Sequence, residues 1–429
     1  MTPAAWADYA AVRRIERRNM QAVELADAPR NPLWRAEAKG ALATPRERNV
    51  APLYRARLAY LPPDVAQALQ DLPFAPHEEA LNAVIARMWH ALQENTTHLE
   101  SKWDLLKEDL NLRCLPKHER ARAELVAMRY REIPPVRHSA VDDPVRSGSM
   151  SAPRYLNANV VELDCGIHFI AAQKPMLSEI AGFHRVLLDK NVGVIVDLTR
   201  GIEKEKQTIY APRINQSMQA AGGGVTVTCE RRGVLPDQAF QLKRLRVEDD
   251  AGHCDVQRLH FKGWPDHGVV SQAHLIEIAD RAEALNVTPD RPMVVHCMAG
   301  VGRTGTLISF IAARSMLQRA VAMAGGRCGP ERMGKMLMAV VAHARLQRGP
   351  RFIETEQQFG LVMHALLETF SKTISSRSRH PRASVPRRQK STQLKRGARR
   401  LAPVRESPDE DVDEAQPSAG VDARGSNRR

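Results

Sequence analysis

The chain has 429 residues, 43% of them hydrophobic and 26% charged, with 25 Gly and 27 Pro. That composition has room for two or three structural units of roughly 150 residues each and excludes a fibrous or wholly disordered chain. The formal net charge of +14 suggests a nucleic-acid binder only until its distribution is followed: residues 371–405 carry twelve Lys and Arg and no acid, so the body is mildly basic.

Residues 1–75 are rich in Ala, Arg and Pro with weak periodicity and read as a poorly ordered N-terminal region. Arg13, Arg14, Arg17 and Arg18 are followed by no apolar run, so no secretory signal peptide is expected. A helical region is predicted over 76–134. Leu81, Val84, Ile85, Met88 and Leu92 follow the spacing of an amphipathic helix, and Glu78 and Glu79 stand in its first turn, where the helix dipole favours anions. Trp103, Leu106 and Leu110 continue the stripe, and Leu125, Met128 and Arg129 suggest a further helix before the breaker Pro134-Pro135.

Strands are predicted at 155–161, 168–172, 192–198, 225–229, 240–247, 255–261 and 292–296, after which Leu307, Ile308, Phe310 and Ile311 resume helical spacing. Strands interleaved with helices argue for one α/β domain over 135–370. From Ser371 the chain is rich in Ser, Arg and Pro and passes into an acidic cluster at 406–414; it has too few large apolar residues to offset the cost of ordering and reads as a disordered basic and acidic tail. For the basic stretch 371–405 three readings stay open: a solvated tail, a nuclear-localisation or nucleic-acid segment, and contact with anionic lipid. The six Cys, at 114, 165, 229, 254, 297 and 328, lack paired metal or redox spacing, which fits free thiols in a reducing compartment. No stretch approaches the roughly 18 apolar residues of a membrane span.

The chemistry concentrates in one segment, His296-Cys297-Met298-Ala299-Gly300-Val301-Gly302-Arg303-Thr304-Gly305, between a predicted strand and a predicted helix. Gly300 and Gly302 permit unusual φ and close approach, so successive backbone N–H groups converge at a helix N-terminus and form a site for a tetrahedral oxyanion. Arg303 closes the ring with a planar fork matched to two phosphate oxygens. The same field favours the thiolate of Cys297, an in-line nucleophile beneath a bound phosphate, and Thr304 is placed to donate its hydroxyl to that sulfur. A thiolate cannot protonate a departing alkoxide, so a separate acid is required. Asp266 is the candidate, on the stretch Trp264-Pro265-Asp266-His267-Gly268, where Pro265 stiffens the loop and Trp264 and Gly268 act as lever and hinge.

Together the two stretches resemble the protein tyrosine phosphatase family in its tyrosine-specific branch, and the likeness covers about 135–365. Arg154–Asn159, Phe169–Pro175 and Leu198–Lys204 resemble further family segments. The resemblance implies a mixed central sheet flanked by helices, no metal or cofactor, and phosphotyrosine-containing proteins as partners. It implies two-step catalysis: Cys297 attacks phosphorus, Asp266 protonates the leaving group, and water hydrolyses the phosphocysteine with Asp266 as base. Met298, Ala299, Gly300, Val301, Gly302 and Arg303 would bind the phosphate. His296 would bond the loop and tune the thiolate, Glu203 would orient Arg303, and Lys204 or Lys206 would lie near the acid.

Two departures from the family pattern stand out. Residues 344–359 resemble the stretch where a Gln pair positions the hydrolytic water, but Glu354 occupies the first position and Gln358 the second; Gln358 is the candidate for positioning the water, and Glu354 is either a base or a charge that repels phosphate, with a slower second step in both cases. Tyrosine-specific members deepen their cleft with a Tyr from an N-R-Y stretch; here Val136-Arg137-His138 is read at that place, with Ala140 where an acid would hold the substrate backbone, so that two readings stay open: His138 replaces the ring, or the cleft is shallower and less peptide-selective. Alternatives remain open: a dual-specificity or inositol-phosphate phosphatase using the same thiolate, and a phosphotyrosine-binding adaptor. The excess of Arg over Lys and the helical N-terminal region also resemble bacterial effectors, which leaves a cytoplasmic enzyme and one delivered into a host cell both open, with nuclear entry through the basic tail.

Overall fold

The computed structural model describes residues 60–73, 75–108, 129–130, 132–136, 139–143, 155–200, 209–220, 224–233, 239–265, 268–288, 290–324 and 328–377. Helical structure begins earlier than the composition of residues 1–75 suggested. Helix α1 spans Pro63–Asp71, with proline in its first turn, where the missing N–H costs nothing, and with Val65 and Leu69 buried one turn apart. Helix α2 is continuous over Glu78–Glu108, so the stripe through Trp103 and Leu106 belongs to it rather than to a new element. Its Leu81, Val84, Ile85, Met88 and Leu92 are buried as their spacing requires. The helix expected near Leu125 and Met128 falls outside the described residues, and Arg129-Tyr130 is a bend.

A nine-stranded mixed sheet follows: β1 (Ala140–Asp142), β2 (Tyr155–Glu162), β3 (His168–Gln173), β4 (Val194–Asp197), β5 (Ser217–Gln219), β6 (Thr226–Gly233), β7 (Phe240–Asp249), β8 (Gly252–Phe261) and β9 (Met293–Cys297). Their spatial order is β1-β2-β3-β9-β4-β8-β7-β6-β5. The centre is parallel, β9 lying between β3 and β4, and β4 beside β8; the flanking pairs are antiparallel. Helices α3 (Ile180–Asp189), α4 (Gln272–Leu285), α5 (Gly302–Ala324), α6 (Pro330–Arg348) and α7 (Glu356–Arg377) cover the two faces. Helix α7 runs seven residues into the segment read as tail, to Arg377.

Strand side chains divide between two cores with the period of two that a pleated strand imposes. Phe169, Ala171, Val194, Val196, Met293 and Val295 face the larger core, under α4 to α7 and the N-terminal helices. Ile170, Ala172, Ile195 and Val294 face the smaller one, against Phe183, Val186 and Leu187 of α3. Burial on both faces explains why β4 and β9 read as unbroken apolar runs. Residues α1 and α2 contribute to the larger core include Leu69, Ile85 and Met88, and Trp89 meets Phe359 of α7 at 5.7 Å between ring centroids. Cys165, Cys229, Cys254, Cys297 and Cys328 are buried and not joined in disulfides. Among the described residues no helix is long and apolar enough to cross a membrane.

Candidate active site

Cys297 ends the central strand β9 and α5 starts at Gly302, so a four-residue loop turns the chain from sheet to helix. The loop curls back under the sulfur, and the Gly300 N–H donates to Cys297 Sγ at 3.2 Å. Gly300 has φ +75°, and an added Cβ would lie 2.3 Å from the Ala172 carbonyl, so only glycine fits between the loop and β3. Arg303 is buried in the first turn of α5, and its Nη1 donates to the Leu198 carbonyl beyond β4 at 3.0 Å. This fixes the guanidinium beside the loop. Thr304 is fully buried, but its Oγ1 has no hydrogen-bond partner among the described residues, so the expected donation to Cys297 is not made.

The loop is anchored from behind by a residue that sequence reasoning passed over. Arg348, the last residue of α6, is 1% exposed and donates to the carbonyls of Gly300 (3.1 Å) and Ala299 (3.1 Å) and to the side-chain oxygens of Asn159 (2.9 Å) and Asn157 (2.8 Å). Burial pushes its pKa down to about 10, against the opposing pull of Cys297 and Glu179. The signal was available: Val341, Arg345 and Arg348 share one helix face at i, i+4 and i+7, which places two arginines where the pattern demands apolar residues.

A cleft of about 120 Å³ opens above the loop, lined by Cys297, Met298, Ala299, Gly302 and Arg303 below and by Tyr130, Glu132, Ile133, Arg351, Glu354 and Gln358 around its walls. Tyr130 and Glu132 were not part of the reading that put Val136-Arg137-His138 and Ala140 at this wall, and the described residues of that reading lie elsewhere. Val136 is 3% exposed and held by Asn159, and Ala140 pairs with Asn159 across β1 and β2, so both belong to the framework; His138 lies outside the described residues. The pair Arg129-Tyr130, with an acid two residues on, was the legible sign. Its placement follows from the sheet. Gln173 is the register partner of Cys297; its Oε1 accepts the Arg129 N–H at 3.1 Å, and its Nε2 donates to buried Glu179 at 2.7 Å. One side chain thus ties the Tyr130 wall to the strand beside the thiol.

Behind Cys297 lies a buried polar chain. His296 stands between the Tyr210 hydroxyl (2.6 Å from Nε2) and the Cys297 carbonyl (3.4 Å from Nδ1). A neutral ring protonated on Nδ1 serves both, the carbonyl accepting and the phenol donating. Burial pushes the His296 pKa down to about 4, so this neutral form holds at physiological pH. Burial would raise the Asp197 carboxyl, but the cations around it, Arg258 at 2.5 Å among them, hold it well below the usual range.

The structure brings Cys297, Met298, Ala299, Gly302, Arg303, Glu354 and Gln358 to one cleft, with Gly300 and Val301 packed beneath it. Trp264 is fully buried, and its Nε1 donates to the Gly268 carbonyl at 3.2 Å, closing the ends of the segment that contains Asp266. Asp266, Glu203, Lys204 and Lys206 lie outside the described residues.

Comparison with known proteins follows the same lines. The family model "Protein-tyrosine phosphatase" matches residues 125–368, more than half of the chain. The mouse tyrosine-protein phosphatase non-receptor type 18 is 29% identical over 230 residues, 53% of this chain and 48% of that protein. The mouse receptor-type tyrosine-protein phosphatase eta is 34% identical over 216 residues, 47% of this chain and 17% of that one. The chain therefore spans less than half the length of these two relatives. The crystal structure of the catalytic domain of human protein tyrosine phosphatase non-receptor type 18 shares the fold, with a TM-score of 0.54 at 24% identity, over 67% of this chain and 96% of that one. A structure of PTPN18 in complex with HER2 phosphopeptides superimposes equally, with a TM-score of 0.54 at 22% identity, over 67% of this chain and 99% of that one. A family match over most of the folded residues, on a sheet that ends its central strand in Cys297, leads to one conclusion: the chain belongs to the protein-tyrosine phosphatase family.

Proposed function

We propose that this chain hydrolyses phosphotyrosine in proteins through a phosphocysteine on Cys297. The observation that carries the reading is the cleft itself, which holds a buried thiol at a strand-to-helix junction, a guanidinium fixed by a backbone carbonyl, and a tyrosine on the wall. In this mechanism the loop amides and the fork of Arg303 hold three phosphoryl oxygens and stabilise the charge of the trigonal-bipyramidal transition state. The Cys297 thiolate attacks phosphorus in line, and Asp266 gives its proton to the departing phenoxide. Water oriented by Gln358 then hydrolyses the phosphocysteine, with Asp266, left as a carboxylate, as a proton acceptor. The ring of Tyr130 would stack against the substrate phenyl group and set the depth of the cleft, and Glu132 would accept N–H groups of the peptide.

The binding of phosphopeptides by the related PTPN18 supports a protein substrate. The inositol-phosphate reading is less well supported, because Met298, Ala299 and Val301 bring no cation into the loop for a highly charged ring. The adaptor reading is opposed by the presence of nucleophile, guanidinium and acid in one sequence. A panel of phosphotyrosyl and phosphoseryl peptides and inositol phosphates, assayed on the purified chain, tests the assignment. Turnover confined to phosphotyrosine is expected, and preferential turnover of inositol phosphates would overturn it.

A further inference from the structure

The wall of the cleft carries a carboxylate that the two-step mechanism above does not use. Glu354 is held there by a strained turn. Ile353, immediately before it, has φ 58°, a region that a β-branched residue occupies only under strain. Its N–H donates to the Val301 carbonyl at 3.2 Å, and its carbonyl accepts from Arg345 Nη2 at 3.3 Å. Arg345 Nε holds the Phe352 carbonyl at 3.2 Å, and Nη1 reaches back to Thr96 Oγ1 on α2 at 2.7 Å. Arg345 is fully buried, and burial pushes its pKa down to about 9. A buried cation on neutral partners and a strained residue are both costly, and both act on the two residues that aim Glu354.

The outcome is a fixed direction. A side chain added to Gly302 would meet Glu354 Oε2 at 3.1 Å and the Gln358 amide atoms Nε2 and Oε1, also at 3.1 Å each, so carboxylate and carboxamide lie side by side over the first turn of α5, next to Arg303. Gln358 Oε1 accepts the Glu354 N–H at 3.0 Å, which makes the Nε2 end the donor available to a water in the cleft. Such a water has an N–H to hold one lone pair and a carboxylate oxygen to take its proton. The ion pairs that Glu354 and Glu132 make with half-exposed Arg351, at 3.8 and 3.9 Å, are long surface contacts of little energetic weight, so they do not account for the framework built beneath Glu354.

We propose that Glu354 is a second acceptor for the proton of the water that breaks down the phosphocysteine, so that this step continues when Asp266 is removed. The proposal rests on the reading of Cys297 as nucleophile. Water oxygen bonds to phosphorus as the S–P bond breaks; the bonding pair returns to Sγ as thiolate, one water proton passes to the Glu354 carboxylate, and hydrogen phosphate leaves.

Rapid-quench and steady-state kinetics with dinitrophenyl phosphate test this, because its phenol departs without an acid and only the second step is stressed. The wild type, Glu354→Gln, Asp266→Ala and the double variant are compared. Glu354→Gln is expected to give a burst of about one equivalent of phenol, a steady rate about tenfold lower, and phosphoenzyme that persists, with Glu354→Asp restoring part of the rate. The double variant should accumulate more phosphoenzyme than Asp266→Ala alone. A wild-type steady rate in Glu354→Gln, or equal phosphoenzyme in Asp266→Ala and the double variant, would overturn the proposal, as would a loss of melting temperature with unchanged phosphoenzyme. Failure of the underlying reading looks different: the wild type would then yield no phosphoenzyme at Cys297 at all.

Discussion

Arg348 Nε donates to the Gly300 carbonyl at 3.1 Å, from the end of α6 into the middle of the loop that carries Cys297. The same guanidinium fills the side-chain acceptors of Asn157 and Asn159, so the loop is referenced to β2 as well as to α6. Arg348→Met removes this donor from four acceptors, of which Asn159 Oδ1 keeps the Val136 N–H, and should cost on the order of 3 kcal/mol of stability and about 100-fold in kcat for p-nitrophenyl phosphate. Arg348→Lys, with one ammonium for four acceptors, should fall between. Urea unfolding and steady-state kinetics check this; a Met variant with wild-type kcat would mean that the loop holds its shape unaided.

Tyr130 is the aromatic on the cleft wall, and its ring can act only on a substrate long enough to lie against it. Tyr130→Ala should lower kcat/KM about tenfold for a phosphotyrosyl peptide, the equivalent of one lost stacking contact, and change it little for a phosphoseryl peptide. The ratio of the two constants is the measurement, and an unchanged ratio would assign peptide selectivity elsewhere.

The buried histidines make the fold acid-labile. His296 and His260 both have pKa values pushed down to about 4 by burial, whereas an unfolded histidine titrates near 6.5. Between those values the unfolded chain binds protons that the folded one refuses, so stability rises with pH across the window and is lost as pH falls through it. The urea midpoint should therefore drop steadily from pH 6.5 to 4.5 at constant slope. A midpoint flat over that range would show that these rings are protonated in the native state.

Asp266 is expected to matter in proportion to the basicity of the leaving group. Asp266→Ala should reduce kcat for phosphotyrosine at least about 100-fold while leaving KM within a few fold, and should reduce turnover of dinitrophenyl phosphate far less. Equal losses on both substrates would point to a positional rather than an acid role.

The strands were legible because the parallel centre is buried on both faces: runs such as Val194–Asp197 and Met293–Cys297 have no polar alternation to confuse the period. The Cys297 loop was legible because its chemistry is local, with nucleophile, glycines and guanidinium inside seven residues. What escaped was everything assembled by tertiary distance. Arg348 reaches β2 across 191 positions of sequence and has no local motif to announce it. Tyr130 escaped through register, because a bend rather than a periodic element carries it and its placement depends on the bond that the neighbouring Arg129 N–H donates to Gln173. The strand β1 escaped through length, at three residues. The end of α7 at Arg377 escaped because composition changes at Ser371 before the helical hydrogen bonds stop.

The central claim concerns a covalent bond to one sulfur, and the direct measurement is acid quench of the wild-type chain within its first turnovers of a phosphate-labelled phosphotyrosyl peptide, followed by peptide mapping. The label should sit on the peptide containing Cys297, and Cys297→Ser should show neither label nor turnover. Turnover of the phosphopeptide by Cys297→Ser near the wild-type rate, or label confined to any other residue, would contradict the account.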